Sequence, residues 1–176
     1  DLAIGTSGAL GSASTQRISL SSSAAVNLGT GADSGFAIDA TEFARIQSGG
    51  DLMVTALAGT GGGAGSLTVG SLTVNAGSGG QVGASGTFGL TASGLLDVNS
   101  TLSIAGAGSG NTLMLTGDAV DLDYANAQLS VLDSANASTG RIIVNGRLIT
   151  SMSAAAASDI AGKTTAEIDV RLGQAD

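Results

Sequence analysis

Apolar residues recur along this chain at alternate positions, in short pairs that never merge into long blocks. Ile18/Leu20, Val26/Leu28, Phe36/Ile38, Leu67/Val69, Leu72/Val74, Leu102/Ile104 and Leu113/Leu115 are each split by one residue, with Gly, Ser, Ala, Asn and Thr in between. A period of two sends successive side chains to opposite faces of a strand, so each pair predicts a short strand with one buried face. Strands this short cannot bury a face alone, and the pattern predicts that they stack on copies of themselves. The expected fold class is all-β, a parallel β-helix (β-solenoid) in which residues 1–176 form a single segment of a longer repetitive chain. Strand starts such as Leu52, Leu72 and Leu96, or Val82, Leu102, Val120 and Ile142, predict steps of roughly 16–24 residues and a coil of roughly 20. About eight or nine coils at ~4.8 Å each would give a rod ~40 Å long.

Two stretches break the alternation. Asp39 and Glu42 have the spacing of a capping box, and Phe43 and Ile46 lie three apart on one face, which predicts a single helical turn after the strand Phe36–Ile38. Residues 151–161 hold four consecutive alanines and predict a short helix or a loop excursion. The Gly-rich stretches 59–65, 77–80 and 106–110 predict corners, because Gly accepts positive φ there without steric cost. Ser, Thr and Asn at outward or corner positions are expected to pair with their equivalents on the next strand.

Composition sharpens this picture. There are 29 Gly and no Pro, Cys, His or Trp, and aromatic residues make up 2% of the chain. A core built without large rings must be thin and aliphatic, with Phe36, Phe43 and Phe88 as its few large fillers. The 43% hydrophobic content and steady alternation argue against disorder, the competing reading of so much Gly and Ser. The net charge of −8, with the six basic residues scattered, argues against nucleic-acid binding. No apolar run reaches the ~18–20 residues of a membrane-spanning helix, so a transmembrane role is not expected. The chain opens on Asp-Leu-Ala-Ile without a signal-peptide pattern, consistent with a removed signal or a segment cut from a longer protein.

Candidate chemistry is sparse. With Val120 and Leu122 inward, Asp121 and Asp123 point outward on one face near Asp118, and three carboxylates could ligate calcium. The same carboxylates could act as acid and base on a sugar. The plainer and favoured reading is a solvated acidic face that keeps a rod soluble and discourages lateral association. Otherwise no cofactor is expected. The calcium-binding nonapeptide repeat of β-rolls is absent, since Gly61–Gly65 lacks the Asp. Without His there is no Ser–His catalysis, so the abundant Ser is turn and ladder material and no enzyme is expected. Asn99-Ser-Thr101 and Asn136-Ala-Ser138 match the glycosylation pattern as chance would produce in this composition.

One stretch carries a resemblance. Gly35-Phe-Ala-Ile-Asp-Ala-Thr-Glu-Phe-Ala-Arg-Ile46, followed by Gly50-Asp-Leu-Met-Val54, resembles a recurring unit of bacterial filamentous-haemagglutinin-like exoproteins of two-partner secretion. Ser100–Ile104, Gly117–Asp123 and Gly140–Val144 look like further coils of those proteins. The resemblance implies a right-handed parallel β-helix and a place in a long adhesin, secreted or held at the bacterial cell surface. Its implied partners are a host or neighbouring-cell surface, including glycans, and an outer-membrane barrel that exports the parent protein. The chain would then be a stiff shaft serving adhesion or a biofilm matrix. A different class of function is a self-assembling extracellular fibre, a homopolymer joined through end coils that expose unpaired strand edges. A carbohydrate-active β-helix enzyme is the weakest reading, since Tyr124 is the sole Tyr and there is no Trp to make a sugar platform.

Overall fold

Almost every alternating pair becomes a strand in the computed structural model, which describes residues 4, 8–30, 35–123, 126–149 and 167–171. In chain order the strands are β1 (Leu10–Ser12), β2 (Arg17–Ser22), β3 (Val26–Leu28) and β4 (Phe36–Ile38). After a helical turn, α1 (Ala40–Phe43), come β5 (Ile46–Ser48), β6 (Asp51–Ala56), β7 (Leu67–Val69), β8 (Leu72–Asn75) and β9 (Thr87–Ala92). They are followed by β10 (Leu95–Val98), β11 (Thr101–Ala105), β12 (Thr112–Leu122), β13 (Gln128–Val131), β14 (Arg141–Ile149) and β15 (Glu167–Arg171). The segment 151–161 lies outside the described residues.

The strands stack in rows, and every strand ladder among the described residues is parallel. The first row runs β2, β6, β9, the start of β12, the start of β14, then β15. The second runs β4, β3, β7, β10, then the ends of β12 and β14. A third row holds β8, β11 and β13, while β1 and β5 pair separately. Because β12 and β14 each pass from the first row into the second, those two rows form one ten-stranded, nearly closed sheet.

Alternation places one apolar set inside. Ile18, Leu52, Phe88, Leu113 and Ile142 follow one another across the first row, with Leu20, Val54, Leu90, Leu115 and Val144 beside them. Leu28, Val69, Val98 and Leu122 do the same in the second row, and Leu72 and Leu102 in the third. The interior is aliphatic, as expected. Its rings meet in an edge-to-face pair, Phe43 on Phe88, with centroids 5.7 Å apart and planes at 73°. Phe36 is only partly buried.

These rows correct the expected spacing. Leu52, Leu72 and Leu96 are not successive levels of one stack: each stands in a different row. Within the first row the step is 25–36 residues, shortest from Phe88 to Leu113 and longest from Leu52 to Phe88. Among the described residues that row is six strands deep, where eight or nine coils were expected. An apolar pair carries no mark of its row, and corner insertions of unequal length hide the true step.

The corner between the first and second rows shows this inequality. Residues 57–66 bridge β6 to β7, residues 93–94 alone bridge β9 to β10, and β12 turns without leaving the sheet. Its turn is a bulge: Gly117 and Asp118 together face Gly146 of β14, which sits at φ +127°. A side chain on Gly117 would meet the carbonyls of Ala119 and Gly94 in a corner where backbones stack closely. At the corner leading back to the first row, Asn111 is fully buried. Its Nδ2 donates to Gly83 O (2.8 Å) and Gly86 O (2.9 Å), and its Oδ1 accepts from Gly108 N (2.8 Å), so one side chain ties two successive levels.

The helical turn follows the sequence. Asp39 accepts from Glu42 N at 2.7 Å and Glu42 accepts from Asp39 N at 3.2 Å, completing the capping box that drops Phe43 inward. Asp39→Ala is expected to cost about 1 kcal/mol in a denaturant titration, the usual value of an N-cap.

Candidate functional site

A column of polar side chains lies on the outward face of the second row. Asn27, Thr68, Asp97 and Asp121 stand at equivalent positions on β3, β7, β10 and β12. The inward neighbours of Asp97 and Asp121 are Leu96, Val98, Val120 and Leu122, all buried, and this alternation holds the carboxylates outward. Adjacent parallel strands put such a pair about 4.8 Å apart at the backbone. Asp123 follows Asp121 at the end of β12, and its N–H donates to Val98 O.

Two of the three acidic residues named from the sequence therefore belong together, and their companion is Asp97, which the sequence reading did not single out. Asp118 stands apart, exposed on the bulge. No three acidic side chains are placed to hold a metal ion among the described residues, and Asp118, Asp121 and Asp123 form no such group. A signal for Asp97 is present in the chain: Leu96-Asp-Val-Asn99 and Val120-Asp-Leu-Asp123 share one pattern a single level apart.

The pair is electrostatically tense. Partial burial pushes the Asp97 carboxyl above its ordinary value of 3.8, a bond from Asn99 pulls it down, and repulsion from Asp121 and Asp123 pushes it up again. One carboxylate oxygen of Asp121 is buried without a hydrogen-bond partner. A raised folded-state value means the folded chain holds this proton more tightly than the unfolded chain does. The resulting stability is present below pH 3.8 and is lost as pH rises through the folded-state value. Asp97→Asn is expected to raise the thermal midpoint at about pH 7 but not at about pH 3. An equal gain at both values would contradict this electrostatic account.

On the third row the outward positions form a neutral ladder. Thr73, Ser103 and Ser130 align on the third row, and Ser103 Oγ lies 3.3 Å from Thr73 Oγ1. The pairing of hydroxyls from level to level is thus seen there. The acidic pair sits on the outer face of a sheet, and Tyr124 lies outside the described residues. No helix among them is long and apolar enough to cross a membrane. No protein-family model, curated protein or solved structure matches the chain.

Proposed function

We propose that the chain is a stretch of right-handed parallel β-helix acting as a stiff shaft in a secreted or cell-surface bacterial adhesin, for adhesion or within a biofilm matrix. The observation that supports this reading is the first row. Its strands keep register from β2 to β15, and from β2 to β14 the two central inward positions are aliphatic or Phe at every level. Such a stack resists bending, because each inner strand is held to both neighbours by backbone hydrogen bonds and the interior is continuous apolar contact. Its work is mechanical: it spaces binding regions away from a surface, and no residue of it performs chemistry. Right-handedness follows the general preference of parallel crossovers. Export through an outer-membrane barrel, and a host or neighbouring-cell surface with its glycans as target, come from the resemblance of Gly35–Val54 to filamentous-haemagglutinin-like exoproteins.

A second reading, an end-to-end fibre, is favoured by β2, which has a strand partner on one side only among the described residues. Electron microscopy of the purified chain, with and without calcium, separates the two. Short separate particles in both conditions are expected of a shaft. Long fibres with a ~4.8 Å axial repeat would replace that reading with polymerisation.

A further inference from the structure

Register measures the corner between the first and second rows level by level. Ser22, Ala56 and Ala92 align at the ends of β2, β6 and β9. Val26, Leu67 and Leu96 align where β3, β7 and β10 pair. Between those marks the chain spends residues 23–25 on one level, 57–66 on the next and 93–95 on the third. The middle level uses ten residues where its neighbours use three. Its ends still sit where the short bridges sit: Leu57 N donates to Ser22 O, Ser93 N to Ala56 O and Gly94 N to Gly65 O. Residues 58–64 are therefore an insertion, looped out between Leu57 and Gly65.

The insertion faces outward. Ala58 and residues 60–64 are exposed, and a side chain built on Gly61, Gly62 or Gly63 would meet nothing within 4 Å. Its internal backbone bonds are local, Gly62 N to Gly59 O at 2.9 Å and Gly59 N to Gly63 O at 2.8 Å, so opening it disturbs no strand. The stretch carries no charge, and Leu57 at its base is 46% exposed. The bridge 76–86 is also long, but it folds inward, with Gln81 and Val82 buried. A peptidase takes its substrate as an extended strand, with alternate side chains in pockets. A neutral loop of Gly, Ala and Thr beside one exposed Leu suits a cleft shaped for small, uncharged residues.

We propose that residues 58–64 are a proteolytic processing site for an endopeptidase that cuts beside small, uncharged side chains, and that the cut chain stays one folded body. Water adds across one peptide bond, leaving a carboxylate on the first piece and an amino group on the second. The pieces stay interleaved because strands pair across the cut. β6 of the first piece pairs with β9 of the second, and β3 of the first pairs with β7 of the second. Thr87 N donates to Asp51 Oδ1 at 2.8 Å and Gln81 Nε2 donates to Ala44 O at 3.3 Å, each joining one piece to the other. The edge-to-face pair of Phe43 and Phe88 spans the cut as well. The inference stands apart from the shaft reading, since it needs only this corner and the ladders around it.

Digestion of the whole native chain with elastase, which cuts after small apolar residues, tests it. Ala13, Ala24, Ala84, Ala107 and Ala135 stand at other bends, so the enzyme has a choice. Among the bonds between Leu10 and Ile149, the first one cut, read by mass spectrometry, is expected to lie within residues 57–65. The two pieces are expected to leave a sizing column together until denaturant separates them. Deleting residues 58–64 joins Leu57 to Gly65 in the way Ser93 joins Gly94. With its fold checked by circular dichroism, that variant should be cut at least about tenfold more slowly over the same span, because other bonds yield only to wider opening. No cut in that span, a first cut elsewhere in it, pieces that part without denaturant, or a folded deletion variant cut as fast as the parent would each overturn the proposal. Should the deletion prevent folding, the place of the first cut and the joint elution decide.

Discussion

Leu113→Asp will abolish cooperative unfolding near the middle of the stack. Leu113 is fully buried in β12, between Phe88 of β9 and Ile142 of β14 at the same inward position. A carboxylate there has no cation in reach inside an aliphatic column, and burying an unpaired charge costs several kcal/mol even after the group takes up a proton. A chain of this kind has a total stability on the order of 5–15 kcal/mol. Leu113→Ala removes the same contacts without the charge and should cost about 2–5 kcal/mol, which separates cavity from charge. Thermal unfolding followed by circular dichroism reads both. A normal transition in Leu113→Asp would mean that the inward assignment of β12 is wrong.

Asn111→Ala comes second, and the cause is different. The substitution removes three hydrogen bonds at a corner where the side chain was wholly buried: the N–H of Gly108 loses its acceptor, and the carbonyls of Gly83 and Gly86 keep only the backbone N–H groups of Gly86 and Thr112. Each unmade bond in such a place costs about 1–3 kcal/mol, so a loss of about 3–5 kcal/mol is expected once some water enters. Asn111→Asp should be as damaging or worse at neutral pH, because a carboxylate would face two carbonyl oxygens. Asn99→Ala is the contrast, since its side chain bonds only to Asp97 on the outer face and should cost well under 1 kcal/mol. Denaturant titrations of the three variants should keep this order. Equal losses for Asn111→Ala and Asn99→Ala would remove Asn111 from its tying role.

Much of the architecture was legible from local pattern. Ile18, Val26, Leu28, Leu67, Val69, Leu102, Ile104, Leu113 and Leu115 are buried as their alternation predicted, and parallel stacking followed from strands too short to be stable alone. Asp39 and Glu42 announced their helical turn because a capping box is a contact between residues three apart. What lay beyond local pattern was addressing. Leu52 and Leu72 look alike along the chain, yet one lines the first row and the other the third, and only pairing across 30 or so residues distinguishes them. Asp97 was missed for the same reason. Its partner Asp121 is one full level away, so their repulsion is a property of register, whereas the closeness in sequence of Asp118 to Asp121 was cancelled by the bulge at Gly117. Asn111 gave no signal at all, being one Asn among many until its three backbone partners converge.

The unequal bridges at the corner between the first and second rows bear on what else this scaffold can carry. Around Gly61, Gly62 and Gly63 there is open space, while the flanking strands β6 and β7 are locked to their neighbours above and below. Because β9 and β10 meet through two residues where β6 and β7 use ten, the register of the rows is indifferent to the length of the bridge. A peptide epitope or enzyme-cleavage tag grafted after Gly62 would ride outside the stack as cargo, making that loop the natural display position of the molecule.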